Sequence, residues 1–336
     1  MAFHDNMRLF YERIFFPYLR KHIDDIECVV HLGDVFHDRR RIDTLSAKHS
    51  REYFFNDMHK ILSENGKHMY IVCGNHDIYF KSDLNTNSLE EFITNQKFSS
   101  SDFMPFVPIT NPVHIPKIKS LLIPWITDAN RDIVMKTIQA SNAKFAMAHL
   151  ELVGFKFDKS QVSMHGDDPQ SFSKFDKVFS GHYHYRHNKG NIFYLGSPTE
   201  QTWVDVDTKR GFHILDVDSG DVEFIENPYN IFENVKYGTP IDTTVNHPRY
   251  YRLYHDEDVK QSNVDAYVTK LYENNALAVD IRPTRANVSD QVKESADNEV
   301  IDAIEDTPTF IKKHVDDEEV AKILIDLYNK AINESE

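Results

Sequence analysis

The chain has 336 residues, a formal net charge of −15 at pH 7 and 40% hydrophobic residues. At roughly 150 residues per domain, this length predicts about two domains, and the hydrophobic content is sufficient for a sizeable core. So acidic a chain is not a general DNA-coating protein, because such proteins need net positive charge to displace counterions from DNA. No apolar run approaches the ~18–20 residues of a membrane-spanning helix, which excludes an integral membrane protein, and we find no signal-peptide pattern. The two cysteines, each in an apolar run, exclude a disulfide scaffold and favour a reducing cytoplasm.

Apolar periodicity in the first hundred residues predicts two helices and two short strands. Residues 5–22 have helical spacing, and Pro17 predicts a kink within that helix. Residues 44–65 predict a second helix, with Gly66 as its C-terminal cap. The short apolar runs that predict strands are residues 28–32 and 69–73.

The same plan continues to about residue 200. Residues 131–140 predict a helix, and the apolar runs that predict further strands are residues 121–123, 145–148, 178–179 and 192–195. Short buried strands that alternate with helices are typical of a layered α/β fold. Polar residues follow the strand ends, and open α/β sheets bind ligands at the carboxyl ends of their strands.

From about residue 210 the pattern changes to a smaller α+β arrangement. Residues 211–217 and 222–225 flank a polar turn and predict a β-hairpin. Residues 249–254 and 276–281 predict strands on either side of a helix near 264–273. We therefore predict a main domain over residues 1–230, an α+β cap domain over 231–285, an acidic linker over 286–307 and a helical segment over 308–336.

Four polar motifs directly follow the apolar runs, and they carry the functional prediction. They are Gly33-Asp34, Gly74-Asn75-His76-Asp77, His149 and Gly181-His182-Tyr183-His184. Each motif alone is often an ordinary turn or a buried histidine. Together they offer carboxylate, amide and imidazole donors, which suit divalent metal ions, and the glycines allow the backbone to approach closely. The conjunction predicts a two-metal site with the ligands Asp34, Asn75, His149, His182 and His184.

This order of motifs, GD…GNHD…H…GHxH, resembles that of the calcineurin-like metallophosphoesterases. Within that superfamily the chain resembles the SbcD-type double-strand-break repair nucleases, the branch that includes the recombination endonuclease subunits of T-even bacteriophages. Supporting segments are Ile123-Pro124-Trp125, Tyr194-Leu195-Gly196-Ser197-Pro198 and Lys209-Arg210-Gly211-Phe212. The resemblance covers residues 1–230 well and the rest loosely. It implies a layered α/β structure, in which a β-sandwich is flanked by helices, with a smaller α+β cap domain over DNA and C-terminal helices.

The resemblance also implies a role for each site residue. The metal ligands would be Asp34 as the bridge, Asn75, His149 and His182 at one ion, and His184 at the other. The two ions would be Mn(II), with Mg(II) as the second choice. His76 would stabilise or protonate the leaving oxygen of a DNA phosphodiester, and Asp77 would orient it. His37 is either an accessory residue near the phosphate or a solvated turn histidine.

Three consecutive arginines form the one strong basic cluster of the sequence. Arg39, Arg40 and Arg41 either contact the phosphate backbone of DNA, without reading its sequence, or belong to an ordinary charged surface. Nothing in the sequence indicates base-specific recognition.

One motif of the family is missing. The first, Asp-x-His after an N-terminal strand, does not occur in the 33 residues before Asp34. Asp57-Met58-His59 matches its letters, but it falls within a predicted helix and we reject it. We interpret the chain as lacking its first strand, so that the second ion keeps only Asp34 and His184. We therefore expect metal occupancy and activity to be impaired.

The resemblance further implies partners. We expect the C-terminal helix to dock an SbcC-type, coiled-coil ABC ATPase, and the nuclease subunit to form a homodimer within a heterotetramer. The expected location is the cytoplasm, that of a bacterial host if the chain is phage-encoded. Two alternatives remain: a non-catalytic scaffold subunit without its first motif, and a calcineurin-like phosphatase. The segment from Asp34 to Arg39 is similar to the phosphatase signature but is one residue too long.

Overall fold

A computed structural model describes residues 2–94, 103–159, 161–244, 247–284 and Lys322. The first compact unit comprises Met1–Leu253 and Ala266–Asp280, and every site discussed below lies in it. Within the second unit, the Thr284 amide donates a hydrogen bond to the His255 carbonyl at 2.6 Å. The predicted linker and, apart from Lys322, the predicted docking segment lie outside the described residues. Across the described residues, no helix is both long and apolar enough to cross a bilayer.

Each of the two predicted N-terminal helices is interrupted by a π-helical turn. Helix α1 (Ala2–Phe10) and helix α2 (Phe16–His22) flank a π turn at Tyr11–Phe15, directly before Pro17. The proline ring donates no hydrogen bond and clashes with the carbonyl four residues earlier, and the wider turn relieves that clash. The kink predicted at Pro17 stays a prediction.

The second helical stretch has the same construction. It contains helix α3 (Thr44–Ser50), a π turn at Arg51–Phe55 and helix α4 (Asn56–Glu64). Its first amides are capped by the Asp43 carboxylate, a cap that the sequence analysis did not identify. Gly66 follows with φ of +61°, the left-handed conformation expected after a helix end.

Two sheets form the centre of the fold. The first contains strands β1 (Cys28–His31), β2 (His68–Val72) and β3 (Phe106–Ile109), all parallel and in that order. The six strands of the second are β4 (Val113–Ile115), β5 (Ser120–Ile123), β6 (Phe145–Ala148), β7 (Lys177–Ser180), β8 (His187–Lys189) and β9 (Ile192–Tyr194). Their order is β4-β5-β6-β7-β9-β8, and only the edge strands β4 and β8 pair antiparallel. Helix α5 (Arg131–Ala140) and strand β6 have the predicted limits.

Side-chain alternation along the strands divides the core into layers. On β2, Met69 and Ile71 pack against α2 and α4, whereas Val72 faces the opposite way. Val72 meets Leu122 and Phe145 of the second sheet. The other face of that sheet packs against α5 and the following loops. The result is a helix–sheet–sheet–helix arrangement, which confirms the layered α/β prediction.

The hairpin and the α+β elements follow this core. Strands β10 (Arg210–Leu215) and β11 (Val222–Asn227) pair antiparallel, which confirms the predicted hairpin. The remaining elements are strand β12 (Phe232–Lys236), strand β13 (Arg249–His255), helix α6 (Gln261–Glu273) and strand β14 (Ala276–Pro283). The strands form a sheet in the order β12-β13-β14. The domain boundary after residue 230 stays a prediction.

Candidate metal centre

The carboxyl ends of four strands from both sheets meet at one place. Gly33-Asp34 follows β1, Gly74-Asn75 follows β2, His149 follows β6, and Gly181-His182 follows β7. Parallel strands bring their carboxyl ends to the same edge of a sheet, so residues more than a hundred positions apart become neighbours.

The ligand atoms of four predicted residues converge. His149 Nε2 lies 2.9 Å from Asn75 Oδ1 and 3.2 Å from Asp34 Oδ2. His182 Nδ1 lies 3.0 Å from the same Asn75 oxygen. One donor atom each from Asp34, His149 and His182 lies within 4.8 Å of the others. Neighbouring ligands of an octahedral ion with bonds of about 2.1 Å are about 3.0 Å apart, so the spacing of these donors fits a divalent metal ion.

Hydrogen bonding sets the orientation of the His149 ring. Its Nδ1 lies 2.6 Å from the Leu32 carbonyl oxygen, which can only accept, so Nδ1 carries the proton. Nε2 is then left to face the centre. Such a backbone contact fixes both the tautomer and the direction of a metal-binding histidine.

The electrostatics of the centre favour the metal-binding forms of Asp34 and His182 but the protonated form of His149. Burial lowers the pKa of His182 to about 3, and the neighbouring His149 adds to this effect, so the imidazole is neutral. Burial acts to raise the pKa of Asp34, but His149 and the His76 amide outweigh it and lower that pKa to about 2. Burial acts to lower the pKa of His149, yet the Asp34 carboxylate raises it above its ordinary value.

Three glycines leave the space that the ligands occupy. A Cβ atom at Gly33 would lie 2.5 Å from His149 Nδ1, and one at Gly74 would lie 2.3 Å from Asp34 Oδ1. A Cβ at Gly181 would lie 2.4 Å from the Leu32 carbonyl oxygen that accepts from His149. Each of these glycines therefore lets the loop that carries it come close to the loop of another motif.

Two of the ligands have left-handed backbone conformations. The φ angles are +55° at Asp34 and +78° at His182. Asp and His tolerate this region better than most residues, but it is strained for any side chain and needs surrounding structure to hold it. Strained conformations of this kind cluster at functional sites.

Asp77 connects two of the motif loops. Its carboxylate accepts hydrogen bonds from the amides of Asp34 (2.8 Å), Val35 (2.9 Å) and Gly74 (2.8 Å). Burial and the Asp34 charge raise the pKa of Asp77 to about 6, against the opposing effect of these amides. The predicted role of Asp77 in orienting His76 stays a prediction. Its hydrogen bonds fix the backbone of the Gly33-Asp34 and Gly74-Asn75 loops.

His76 and His37 lie together at the rim of the centre. The His76 amide donates to Asp34 Oδ1 at 2.8 Å, and its ring Nδ1 is within hydrogen-bonding reach of the His37 carbonyl. The two imidazole rings stack with their centroids 5.8 Å apart. His37 is exposed, and its stacking on His76 places it at the rim.

His184 does not join the compact group of ligands. Burial lowers the pKa of His184, and the charges of Asp205 and, less strongly, Asp34 oppose this effect. His184 is absent from the group of Asp34, His149 and His182, whose ligand atoms lie within 4.8 Å of one another. The His184 carbonyl accepts from the buried Arg210 guanidinium and from the Ser197 amide at 3.2 Å. Arg210 is paired with Asp205 at 2.7 Å. This buried pair holds the backbone that carries His184.

The three arginines have different surroundings. Arg39 Nε donates to the Asn75 carbonyl at 2.9 Å, and Arg39 thereby supports a ligand loop. The Arg40 guanidinium lies 5.7 Å from the centroid of the Tyr79 ring. Arg41 is exposed and lies 3.7 Å from the Asp38 carboxylate. Arg40 and Arg41 are thus the members of the cluster that face solvent.

The segment rejected as a first motif lies away from the centre. Asp57 and His59 are both in α4, where Asp57 accepts a hydrogen bond from Arg20 at 2.9 Å. The side chain of His59 is buried. Neither belongs to the group of ligand atoms.

Two residues at the centre were given no role there from the sequence: His31, and Trp125, which was named only in a segment that supports the family resemblance. His31, at the end of β1, lies close enough to Asp34 and His149 to interact with both, and burial lowers its pKa to about 4. Trp125 packs its ring 5.0 Å from His182 and 5.8 Å from His149. Together with His149 and Arg131, Trp125 lines a cavity of about 230 Å³ beside the centre. The apolar run before Trp125 was visible in the sequence, but no pattern indicated which way the ring points.

Comparison with known proteins agrees with this geometry. The family model of the calcineurin-like phosphoesterases matches residues 2–186, which is more than half of the chain. Exonuclease subunit 1 of Enterobacteria phage T4 is 29% identical over 201 residues, which cover 59% of this chain and 55% of the relative. The chain thus spans about half the length of this curated relative. With all four motifs inside or at the edge of the matched region, the chain belongs to the calcineurin-like phosphoesterases.

Proposed function

We propose that this protein is a metal-dependent DNA nuclease subunit that hydrolyses phosphodiester bonds. The observation that carries the proposal is the convergence of Asp34, Asn75, His149 and His182, with His76 at the rim. The similarity to a phage exonuclease subunit favours DNA as the substrate.

The residues of the centre fit this chemistry. Divalent ions, Mn(II) by preference, would activate a water molecule and neutralise charge on the phosphate. His76 donates its Nδ1 proton to the His37 carbonyl, which leaves Nε2 to face the substrate. A protonated His76 then supplies the proton that the leaving oxygen needs. Asp77 and Arg39 hold the loops of Asp34 and Asn75 in place while this happens.

The proposal extends to partners. The relative is called a subunit, which supports a complex of some kind. The resemblance to the SbcD-type nucleases is the ground on which we further propose an SbcC-type ABC ATPase as the partner and a homodimer within a heterotetramer. The C-terminal segment of this chain, residues 308–336, would carry the docking helix. Because the relative is a phage protein, we place the activity in the cytoplasm of an infected bacterium.

A comparison of substrates tests the proposal. Purified protein with Mn(II), with and without the ATPase, is given linear duplex DNA, single-stranded DNA and p-nitrophenyl phosphate. We expect DNA cleavage that His76→Ala abolishes and that the control His114→Ala, an exposed histidine on β4, retains. Hydrolysis of the monoester alone would favour a phosphatase. Inactivity with intact ATPase binding would favour the scaffold.

A further inference from the structure

Two neighbouring aromatic side chains stand exposed immediately after the Gly74–Asp77 motif. Tyr79 is 41% exposed and Phe80 is 51% exposed. Their ring centroids lie 4.8 Å apart, and the ring planes are inclined at 74°. Exposed aromatic pairs are uncommon on protein surfaces and mark interaction sites when they occur beside a functional centre.

The loop that carries these rings is held firmly. Ile78 is fully buried and pairs with Asn87 in an antiparallel bridge. The Tyr79 amide donates to the Thr86 carbonyl at 2.9 Å, and the Ser88 amide donates to the Asp77 carbonyl at 2.7 Å. The rings are therefore presented from a closed loop, so a ligand that packs on them loses little further conformational freedom of the protein.

Positive charge lies next to the aromatic pair in an otherwise acidic chain. The Arg40 guanidinium lies over the Tyr79 ring, 5.7 Å from its centroid. Lys81 follows Phe80 in the chain and is exposed, and so is Arg41, which is paired with Asp38. Arg39, the residue before Arg40, donates to the carbonyl of the ligand Asn75. The basic groups thus continue directly into the metal centre, whereas the chain as a whole carries a net charge of −15.

We propose that Tyr79, Phe80 and Arg40 form a stacking platform for single-stranded nucleic acid, which leads the strand to the metal centre. The platform rests on the nuclease function proposed above. Unpaired bases stack on aromatic rings, and their phosphates pair with the adjacent arginines and lysine. Bases inside a duplex are already stacked and paired, so the platform selects unpaired strands or frayed ends. Because every base has an aromatic face, the platform does not read sequence.

Binding without catalysis tests the platform. The fluorescence anisotropy of a labelled single-stranded oligonucleotide is titrated with full-length protein in EDTA. The double variant Tyr79→Ala/Phe80→Ala should raise the Kd about tenfold to a hundredfold, in line with the loss of stacking by one or two bases. Tyr79→Trp should retain tight binding. The matched control Tyr272→Ala removes an aromatic ring that is 51% exposed on α6 and should leave the Kd within twofold.

The substrate readout is the second part of the experiment. With Mn(II), the double variant should raise KM for single-stranded DNA about tenfold while kcat changes less than twofold. If the wild-type protein cleaves DNA and the double variant binds single strands as tightly as wild type, the platform is wrong and the rings serve a protein partner. If the wild-type protein neither binds nor cleaves DNA but hydrolyses p-nitrophenyl phosphate, the nuclease proposal itself fails, and the platform with it.

Discussion

At the scale of single residues, the centre depends on groups that never touch a metal ion. Asp77 accepts hydrogen bonds from the amides of Asp34, Val35 and Gly74. The Leu32 carbonyl sets the tautomer of His149, and Arg39 holds the Asn75 carbonyl. The ligands are therefore placed by a shell of backbone hydrogen bonds that the motif letters do not reveal.

Replacing Asp77 by asparagine should destabilise the protein. An amide side chain has one acceptor oxygen, and its NH₂ group would face backbone N–H groups that also donate. Leaving buried donors without acceptors costs about 1–3 kcal/mol each, so we expect Asp77→Asn to lower the free energy of unfolding by about 2–4 kcal/mol. Urea denaturation in EDTA measures this. Asp38→Asn, on the exposed rim, is the control and should change stability by less than about 0.5 kcal/mol. If the Asp77→Asn protein were as stable as the wild type, the connecting role of Asp77 would be contradicted.

Metal binding should depend on pH through His149. The Asp34 carboxylate raises the pKa of His149, and a metal ion must displace the proton from Nε2. Below that raised pKa, Mn(II) affinity should increase about tenfold per pH unit, and above it the affinity should level off. His182, with its pKa lowered to about 3, adds no further slope above pH 5. Titration by electron paramagnetic resonance between pH 5.5 and 8.5 checks this, and an affinity that is constant over that range would refute it.

At the scale of elements, the strand ends decide the geometry of the centre. Gly33, Gly74 and Gly181 each lie where the end of one strand passes close to another motif. A Cβ atom at Gly74 would meet Asp34 Oδ1, the Asp34 amide nitrogen and His149 Cε1, all within 2.8 Å. The two sheets can approach at this edge only because these positions carry no side chain.

A methyl group at Gly74 should therefore separate the ligands. We expect Gly74→Ala to weaken Mn(II) binding at least tenfold, because Asp34 and His149 must move apart. Gly66→Ala is the control: it adds backbone strain after α4 with no atom within 4 Å of the new Cβ, and should leave metal affinity unchanged. Calorimetric titration with Mn(II) compares the two. A Gly74→Ala protein with wild-type affinity would show that the edge can widen freely.

Most central elements could be predicted from the sequence, whereas edge elements could not. Helix α5 and strand β6 have the predicted limits because their apolar residues are buried and their boundaries are polar. Strands β4 and β8 are three residues long and partly polar, so periodicity gives no signal for them. Strand β8 becomes a strand only because β9 offers it a pairing edge.

The ligands of the candidate centre could be predicted from the sequence, but the residues that hold them in place could not. Asp34, Asn75, His149 and His182 follow strand ends that the apolar runs marked. Arg210 and Trp125 approach the centre from elements distant in sequence, and only tertiary packing brings them there. The direction in which a side chain points, as for Asp77, depends on which backbone amides lie within hydrogen-bonding distance. A sequence pattern does not give that information.

At the scale of the whole molecule, charge restricts how DNA can be bound. The net charge of −15 opposes a polyanion, so attraction must come from a small basic region near Arg40 and Arg41. If the proposed nuclease function is right, we expect this protein to make few phosphate contacts and to depend on stacking and metal ions for the rest of its affinity.

The salt dependence of binding should therefore be shallow. With about three phosphates neutralised, the logarithm of the single-strand affinity should fall against the logarithm of salt concentration with a slope of about −2. Arg40→Ala/Arg41→Ala should reduce the slope to about −0.7. Anisotropy titrations in EDTA from about 50 to about 300 mM KCl measure this slope. A slope steeper than about −5 would reveal a broad basic surface and contradict the local site.

The left-handed backbone at Asp34 and His182 limits which sequences this fold accepts. In a library of all substitutions at either position, the required backbone conformation would exclude many residues whatever the chemistry of their side chains. Glycine and asparagine adopt positive φ readily, whereas valine and isoleucine carry a branched Cβ that resists it. Catalytically silent descendants of this protein should therefore retain their shape best through glycine or asparagine at these two positions, and β-branched replacements should cost about 1–3 kcal/mol of stability each.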